Sequence, residues 1–443
     1  MVKISEYRSL LEYLAGLIKG SEYEGHVYAV GGCVRDSYIA SLNNVTGFIK
    51  DIDLVVDLPN GGINLAKYLE SVHMVKGSLV IYETFGTVMF HLKEHPDIEL
   101  EAVQTRSECY RDENSRNPET SYGTIQQDAF RRDFTINALY YNISTGEIKD
   151  FNGHGIEDIK NHIIDTCGDP DIIFNEDPLR IMRAIRFAAR LGYFISERTM
   201  EGIKKYANRL HIISQERITD EFNKILATDK PQWGLMRLID YGIIDVIMPE
   251  VKTAIADNSL LITMGRCSYD LDEINAESGK KGELEFDKKI AMLSLISRYT
   301  GPQAFSKVMK TMKYSNDDIK EVAFYGQALI DMQNAEDSRK LSDLRRIEYS
   351  CLNTITYARL YFLYKEITRH MPWSDMGLTV KHPMIGYALP VDGESIMKEF
   401  GFKPGPVIGL SLKECLEYAF NKPDATKDEL LHFLHTLFTN DKN

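Results

Sequence analysis

The sequence predicts an α+β protein: a mixed α/β head followed by a long, all-helical remainder. Two patterns along the chain predict it. Up to about residue 150, short apolar runs are separated by turn residues, which is typical of strands. Beyond about residue 156, apolar residues recur at helical spacing instead. The 443 residues fit about two to four domains, and no apolar run approaches the roughly 18 residues of a membrane span.

The head is predicted to begin with a helix and to continue with five strands. Residues 1–20 carry Glu6 and Glu12 among apolar positions, which favours an amphipathic helix over a signal or transit sequence. The turn cluster DFNGHG at 150–155 predicts a domain boundary. The predicted strands are short apolar or alternating runs at 27–30, 51–56, 79–82, 87–92 and 98–105.

The remainder contains helical patterns with clear starts and stops. Asp177 and Pro178 are predicted as the N-cap and first residue of a helix that Gly192 ends. Residues 253–286 are polar and weakly patterned, and we place no element there. Further helices are predicted at 199–210, 215–226, 287–297, 317–332 and 341–368.

Charge and cysteine content restrict the classes of protein. The net charge of −13 argues against a generally basic nucleic-acid binder, although binding requires only a local basic surface. Residues 178–217 contain nine Lys or Arg against three Asp or Glu, so they are the best candidate for phosphate contact, with a solvated helix face as the equal alternative. The six cysteines form no C-x-x-C pair, which argues against zinc fingers and predicts a reducing cytoplasm.

The segment Asp51-Ile52-Asp53 is the first candidate for chemistry. Alternate residues of a strand share a face, so Asp51 and Asp53 project together. Two close carboxylates repel each other unless a cation lies between them. Mg²⁺ is typically bound by one or two carboxylates plus substrate phosphates, and a pair of such ions suits phosphoryl transfer. A D-x-D pattern alone is weak, because most instances are exposed polar positions.

Two further segments supply a phosphate cradle and a third carboxylate. Gly31 and Gly32 follow a strand, and glycines let backbone N–H groups approach a phosphate that Arg35 also contacts. A simple turn with a surface ion pair is the alternative. Glu99 and Glu101 share one strand face, and either is a candidate to hold metal or to activate a hydroxyl; an exposed strand face explains them equally well.

Two arginine-rich segments complete the candidate site. Arg132 is predicted on a triphosphate and Asp133 near a ribose, with a buried Arg–Asp brace as the equal alternative. Arg180, Arg183 and Arg186 recur every three residues and form a row suited to a polyanion. Asp177 and Arg180 together present an acceptor and donors, which matches the amino group and ring nitrogen shared by cytosine and adenine. Helix capping and surface ion pairs are the alternative for this segment.

The order of these motifs resembles that of class II CCA-adding tRNA nucleotidyltransferases and the related bacterial poly(A) polymerases. The resemblance covers residues 25–230 closely and 380–435 loosely, the latter through LPVDGESIMKEFGFKPGPVIG at 389–409. The segments that carry it are GGCVRD (31–36), DIDLVV (51–56), RRDFTINAL (131–139), EDPLRIMRAIRFAARLGY (176–193) and ERITDEFNKIL (216–226).

The resemblance implies a seahorse-like chain with four parts. A nucleotidyltransferase α/β head with a mixed sheet would span residues 1–152, followed by a helical neck at 153–228, a helical body at 229–335 and a tRNA-binding helical tail at 336–443. The implied enzyme is cytoplasmic, binds no membrane and adds CCA to the 3′ end of tRNA from CTP and ATP. Poly(A) synthesis and CC-only or A-only addition are the nearest alternatives; a catalytically silent RNA-binding protein and nucleotidyl transfer to a small molecule are more distant ones.

The resemblance also implies roles for individual residues. Mg²⁺ would be held by Asp51 and Asp53, and Glu101 is favoured over Glu99 because it stands five residues before Arg106, as in the family. Residues 107–122 correspond to the family's mobile loop. The residues expected to contact the incoming nucleotide are Gly32, Arg35, Arg132, Asp177, Arg180, Arg183 and Arg186.

Three features depart from the family pattern. The linker between Asp36 and Asp51 is longer than usual, and Tyr38-Ile39-Ala40 replaces a Leu-Leu-Gly. No His-Asp dyad is present, which excludes the phosphohydrolase unit fused to some relatives. Residues 253–286 match no family segment, and the oligomeric state is left open.

Overall fold

The computed structural model describes residues 2–49, 51–83, 86–109, 119–278, 286–351, 353–369 and 384–440. The chain divides into two compact units, Met1–Pro249 and Glu250–Asn443. The first unit contains the sheet, and the described part of the second is helical. The finer division into head, neck, body and tail at residues 152, 228 and 335 stays a prediction.

The first unit is built on a mixed sheet of seven strands. Their order is β11-β10-β2-β4-β7-β6-β5, and β4 with β7 is the parallel pair in an otherwise antiparallel sheet. All five predicted strands are confirmed. The strands are β1 Val2–Lys3, β2 Val27–Val30, β3 Phe48–Ile49, β4 Ile52–Val56, β5 Val75–Tyr82, β6 Thr87–Leu92, β7 His95–Gln104, β8 Arg106–Cys109, β9 Glu119–Tyr122, β10 Leu139–Asn142, β11 Ile148–Asp150, β12 Ile163–Ile164 and β13 Phe194–Ile195.

The first helices of this unit alternate with the strands of the sheet along the chain, and further helices follow after the last strand of the sheet. Helix α7 begins at Leu179, one residue after the predicted start, and Gly192 ends it with a φ of 71°. The helices are α1 Ile4–Ile18, α2 Gly32–Asn43, α3 Gly61–Ser71, α4 Ile125–Phe130, α5 Gly155–Asn161, α6 Pro170–Glu176, α7 Leu179–Leu191, α8 Glu197–Tyr206, α9 Gln215–Leu226, α10 Pro231–Asp240 and α11 Ile244–Ile247.

Helix α3 lies against the parallel pair of strands at very short range. A Cβ atom on Gly62 would lie 2.7 Å from the carbonyl oxygen of Ala102 and 2.7 Å from the Cα atom of Val103. Real Cβ atoms do not approach backbone this closely, so the packing of α3 on β7 requires glycine at this residue. Leu65 and Leu69 then bury the same helix in the core.

Helix α4 packs on the sheet face that carries the predicted acids. Ile125 and Ala129 join Tyr28, Val55 and Tyr140 in one buried cluster. Strand alternation puts Val55 on the same face of β4 as Asp53. The cluster therefore places α4, and the turn that follows it, on the side of the sheet from which Asp53 projects.

The described part of the second unit is helical, and two predictions need correction there. The single helix predicted at 341–368 is wrong. One helix ends at Ser350, and Asn353 caps a separate helix by accepting from the backbone N–H of Thr356. The segment 253–286, where no element was predicted, contains two helices. The helices are α12 Lys252–Ile255, α13 Asn258–Ser278, α14 Lys288–Thr300, α15 Pro302–Thr311, α16 Asn316–Ser338, α17 Leu341–Ser350, α18 Thr354–Thr368, α19 Gly393–Phe400, α20 Pro406–Asn421 and α21 Lys427–Asn440.

The sequence hides α13 for a physical reason. Its buried face is filled partly by Thr263, Cys267 and Ser268, small or polar side chains between Leu260 and Leu271. The helical spacing is present, but the apolar signal that reveals it is diluted. A smaller correction applies at 199–210, where α8 ends at Tyr206 and a 3₁₀ helix continues over Ala207–Ile212.

The described helices also bear on the membrane prediction. None of them combines the length and the apolar character that crossing a bilayer requires.

Candidate functional site

The predicted acids meet at the centre of the sheet. Asp53 lies on β4 between Val30 of β2 and Glu101 of β7, which are its direct neighbours in register. Asp51 precedes the first residue of β4, so it stands at the start of the strand and not within it. Burial raises the pKa of Asp53 to about 6, with Glu101 and Asp51 adding to the rise and Arg132 opposing it.

This arrangement suits a divalent cation. Burial first, and then the neighbouring carboxylates, raise the pKa of Asp53, so its negative charge is unfavourable here and a bound cation would offset that cost. Within the described residues, no group of three or more His, Cys, Asp or Glu side chains is arranged to hold a metal. The strand register does put the two carboxylates of Asp53 and Glu101 on neighbouring strands, and one or two carboxylates suit an ion that completes its shell with substrate phosphates and water.

The strand register separates Glu101 from Glu99. Glu101 of β7 pairs with Asp53 of β4. Glu99 lies two residues earlier on the same face of β7 and pairs with His91 of β6. The Oε2 atom of Glu99 is 3.7 Å from Nε2 of His91, and its side chain is 54% exposed. Glu101 is therefore the glutamate that shares an environment with Asp53.

The glycine pair turns the chain directly beside Asp53. Gly31 has a φ of 81°, which disfavours any side chain, and α2 begins at Gly32. A Cβ atom on Gly31 would lie 3.4 Å from Oδ2 of Asp53, so the glycine keeps the backbone close to the carboxylate. The predicted strand, turn and helix start are confirmed, while phosphate binding by Gly31 and Gly32 stays a prediction.

Arg35 is buried below this turn. Its side chain donates through Nε to Oδ1 of Asp36 at 2.7 Å and through Nη1 to Oδ1 of Asn137 at 2.5 Å. Only 1% of the residue is exposed. In this arrangement Arg35 braces α2 against the 3₁₀ turn Thr135–Asn137, and its predicted contact with a phosphate oxygen stays a prediction.

The charged residues Arg131, Arg132 and Asp133 follow α4. The two arginines and the aspartate bond to different partners. Both arginines donate to the buried carboxylate of Asp128, Arg131 to Oδ1 and Arg132 to Oδ2. Asp133 instead accepts from Arg183 on α7, at 2.8 Å from Nε and 2.5 Å from Nη2. Burial alone would raise the pKa of Asp133, but Arg183 and the hydrogen bonds around it hold it at about 2.

The arginine row of α7 is partly turned inward. Arg180 is 8% exposed and donates to Glu176 at 3.2 Å and to the carbonyl oxygen of Arg131 at 3.0 Å. Arg186 donates through Nε to Oε2 of Glu221 on α9 at 2.6 Å. Burial lowers the pKa of Arg186, and Glu221 offsets part of that effect.

One aromatic ring lies under three of the predicted arginines. The Cζ atoms of Arg35, Arg183 and Arg186 lie 5.0, 5.6 and 4.3 Å from the centroid of the Phe187 ring. Guanidinium groups within about 6 Å of a ring face are held by cation–π attraction. Phe187 thus holds three guanidinium groups from α2 and α7 together, and their binding of a polyanion stays a prediction.

Asp177 and Arg180 do not form the side-chain pair that their spacing suggests. Asp177 caps α7 by accepting from the backbone N–H of Leu179 at 3.1 Å. Its Oδ2 atom accepts from Arg217 of α9 at 3.2 Å, while Arg180 lies on the Arg131 carbonyl. Their joint recognition of a base stays a prediction, and Arg217 is the contact that the sequence analysis missed.

Residues 107–122 fall partly outside the described chain. Their described ends form an antiparallel pair, with Arg106 opposite Tyr122 and Cys109 opposite Glu119. Residues 110–118, which hold most of the predicted mobile loop, lie outside the described residues. The base of that segment is a short hairpin joined directly to α4.

The sequence analysis assigned no role to four residues that contact the site residues: Asp128, Phe187, Arg217 and Glu221. The sequence carries a signal for Asp128, since it stands three and four residues before Arg131 and Arg132 on a helix. Phe187 and Glu221 lie inside the segments that resemble the family, but roles were predicted only for other residues of those segments. The paired acids also explain why the basic stretch 178–217 presents fewer free cations than its composition suggests.

Comparisons with known proteins agree with this geometry. The profile of the Poly A polymerase head domain matches residues 27–165, and that of the probable RNA and SrmB-binding site of polymerase A matches residues 192–255. The CCA-adding enzyme of Limosilactobacillus reuteri is 28% identical over 417 residues, which cover 93% of each chain.

Solved structures share the fold across the whole chain. The CCA-adding enzyme of Bacillus stearothermophilus in complex with CTP has a TM-score of 0.67 at 19% identity and covers 98% of both chains. The Thermotoga maritima CCA-adding enzyme complexed with tRNA has a TM-score of 0.66 at 21% identity, over 99% of this chain and 100% of that one. The chain thus matches the Poly A polymerase head domain over residues 27–165 and is similar over nearly its whole length to CCA-adding enzymes.

Proposed function

We propose that this protein adds the sequence CCA to the 3′ end of tRNA, using CTP and ATP. The observation that carries the proposal is the group of Asp51, Asp53 and Glu101 beside the charge of Arg132. Relatives of full length are CCA-adding enzymes, and structures of this fold hold CTP or tRNA. In the reaction the 3′-hydroxyl oxygen of the tRNA forms a bond to the α-phosphorus, and pyrophosphate leaves.

The acids prepare the reacting centre. Family members depend on a divalent metal, and we infer Mg²⁺ ions on Asp51 and Asp53 because carboxylate oxygens are the donors that Mg²⁺ prefers. Such ions, when bound, supply positive charge to the attacking and leaving oxygens. Glu101, next in register to Asp53, either joins these donors or accepts the proton of the attacking hydroxyl.

The arginines bind the triphosphate and stabilise its charge. The charge of Arg132 lowers the pKa of Asp53, which supports a role for this guanidinium near the reacting centre. Arg183 and Arg186 converge on the same Phe187 ring as Arg35. Such fixed donors stabilise developing charge without reorganising during the reaction.

Base selection would fall to the start of α7. Asp177 is held there by the backbone N–H of Leu179 and by Arg217, and it presents a carboxylate that accepts from the amino group of cytosine or adenine. For Arg180 to donate to the ring nitrogen beside that amino group, it must release the Arg131 carbonyl. We therefore infer that nucleotide binding rearranges the Arg180 side chain.

Product length from a defined primer tests the proposal. A tRNA transcript lacking CCA is incubated with Mg²⁺ and CTP, ATP or both, and the products are resolved at single-nucleotide length. The expected result is two added residues with CTP alone and three with both nucleotides. A long adenosine tail would assign poly(A) synthesis instead. A stop after CC with both nucleotides present, or one A added to a CC-ending primer with no addition to the transcript lacking CCA, would assign partial addition.

A catalytic control excludes the more distant functions. The Asp53→Asn variant keeps the shape of the side chain and is expected to lose incorporation and pyrophosphate release. No pyrophosphate from the wild-type chain with CTP, ATP and tRNA would favour a catalytically silent RNA-binding protein. Release with a small hydroxylated acceptor but not with tRNA would favour small-molecule modification.

A further inference from the structure

The carboxylate of Asp128 is the most heavily hydrogen-bonded acid of the site region, and no motif assigns it a role. It is fully buried, with 0% of its side chain exposed. Its Oδ1 atom accepts from Nη2 of Arg131 at 2.6 Å and its Oδ2 atom from Nη2 of Arg132 at 3.0 Å. The hydroxyl of Tyr140 donates to Oδ2 at 2.6 Å. A buried charge of this kind is stable only because each oxygen has charged or polar donors.

These contacts fix one edge of the Arg132 guanidinium. Nε of Arg132 lies 3.3 Å from Oδ2 of Asp128 and 2.8 Å from the hydroxyl oxygen of Tyr140. Together with the hydrogen bond from Nη2, these contacts attach the planar guanidinium to Tyr140 on β10 and to Asp128 on α4. Within the described residues, Nη1 of Arg132 donates no hydrogen bond, so the opposite edge is the one left for a ligand.

The sheet register places the fixed guanidinium on the same side of the sheet as Asp53. Tyr140 of β10 pairs with Val30 of β2, and Val30 pairs with Asp53 of β4, so the three residues form one row across the sheet. Directly paired residues of neighbouring strands project from the same face. The guanidinium that Tyr140 and Asp128 hold therefore lies on the face from which Asp53 projects.

Asp128 also joins the same arginine to the base of the β8–β9 hairpin. Its Oδ1 atom accepts from the backbone N–H of Arg106, the first residue of β8, at 3.3 Å. Arg131 donates through Nε to the carbonyl oxygen of Arg106 at 3.2 Å. At the other strand of the hairpin, Thr124 caps α4 through a reciprocal pair of hydrogen bonds with Gln127. The short helix α4 therefore carries the residue, Asp128, that contacts both the base of the hairpin and Arg132.

We propose that Asp128 is the positioning residue of Arg132, a buried carboxylate that orients the triphosphate-binding guanidinium toward Asp53 and ties its orientation to the β8–β9 hairpin. The inference rests on the proposed function, because it takes Arg132 to contact the triphosphate. Asp128 itself touches neither the reacting acids nor the solvent. Its contribution is orientation, since a guanidinium fixed in advance binds charge without a further loss of freedom.

Two variants remove this support to different degrees. Asp128→Asn keeps the size of the side chain but loses its charge and one acceptor. Tyr140→Phe keeps the buried ring and removes only the hydroxyl that bridges Asp128 and Arg132. We expect kcat/KM for CTP to fall about 10- to 100-fold in Asp128→Asn, mostly through KM, and by a smaller factor in Tyr140→Phe.

Asp165→Asn is the matched control. Asp165 is a second acid held by an arginine and two hydroxyls, accepting from Arg198 at 2.7 Å, Ser196 at 2.5 Å and Thr199 at 2.7 Å. It lies outside the residues assigned to the reaction. Its variant is expected to lose thermal stability as Asp128→Asn does, but to keep kcat and KM for CTP within about twofold, because stability and positioning are separate effects.

A double-mutant cycle decides between positioning and mere support of the fold. If Asp128 acts through Arg132, Asp128→Asn causes little further loss of kcat/KM in an Arg132→Lys background, where the fixed planar fork is already gone. Losses that multiply in the double variant would overturn the inference, as would unchanged KM for CTP in both Asp128→Asn and Tyr140→Phe. A wild-type chain without any incorporation would reject the proposed function itself, which separates the two failures.

Discussion

Replacing Asp53 by Asn should stabilise the metal-free protein while abolishing its activity. The pKa of Asp53 lies at about 6 against an ordinary 3.8, because burial, Glu101 and Asp51 disfavour its charge. Each unit of pKa corresponds to about 1.4 kcal/mol, so the ionised carboxylate costs the fold up to about 3 kcal/mol at neutral pH. An amide carries no such cost, and we expect Asp53→Asn to gain about 1–3 kcal/mol in free energy of unfolding.

Thermal unfolding at two pH values, with a chelator present, measures this gain. A raised pKa means that proton binding stabilises the fold below pH 3.8 and that this stability is lost as pH rises through about 6. The advantage of Asp53→Asn should therefore be full at pH 7.5, about half as large at pH 5 and absent well below pH 3.8, because the carboxyl of the unfolded chain is still ionised at pH 5. For a unit of this size, about 1 kcal/mol corresponds to roughly 2–4 °C in Tm.

Two further measurements serve as controls for the predicted gain in stability. Added Mg²⁺ should raise the Tm of the wild type and not that of Asp53→Asn, since only the wild type keeps both carboxylates that we propose as metal ligands. Glu99→Gln removes an exposed charge from the same strand face and should change stability by less than about 0.5 kcal/mol. An Asp53→Asn protein that is less stable than the wild type at pH 7.5 without metal would refute the reasoning.

Two further predictions follow from neighbouring carboxylates. Glu101→Gln should lower kcat for nucleotide addition at least about tenfold and Glu99→Gln by less than about twofold, because only Glu101 is in register with Asp53; equal effects in primer-extension assays would reverse the assignment. Asp133→Asn should cost about 2–4 kcal/mol at pH 7 by leaving Arg183 without its carboxylate. The pKa of Asp133 is held at about 2, so this loss should persist down to about pH 4 and disappear as pH falls toward 2, which urea titrations at each pH measure.

Much of the fold could be predicted because its signals are local. Three of the predicted features depend on residues close in sequence: the strand Val27–Val30 with its turn at Gly31, the position of Asp53 on β4, and the hydrogen bond from the Leu179 N–H to Asp177. The break after Ser350 was missed because the helical pattern resumes at once with a new cap at Asn353. The helix Asn258–Ser278 was missed because small polar residues occupy part of its buried face.

The site was predictable in its members and not in their contacts. Motif spacing found Asp53, Arg132 and Arg180, but which acid each arginine meets depends on how distant helices pack. Arg180 turns to the Arg131 carbonyl and Asp177 to Arg217 for this reason. Asp128 shows the limit most clearly, since a buried carboxylate is recognised as a support only when the side chains around it are known.

The close packing of α3 on β7 makes the position of the strand that carries Glu101 depend on a residue outside every motif. A methyl group on Gly62 would collide with the backbone at Ala102 and Val103, so either the helix must retreat or the strand must shift. The hydrogen atom that glycine has in place of a side chain therefore lets β7 keep its place in the sheet. A mutational scan that scores only growth would class Gly62 with the acids, although its role is in packing.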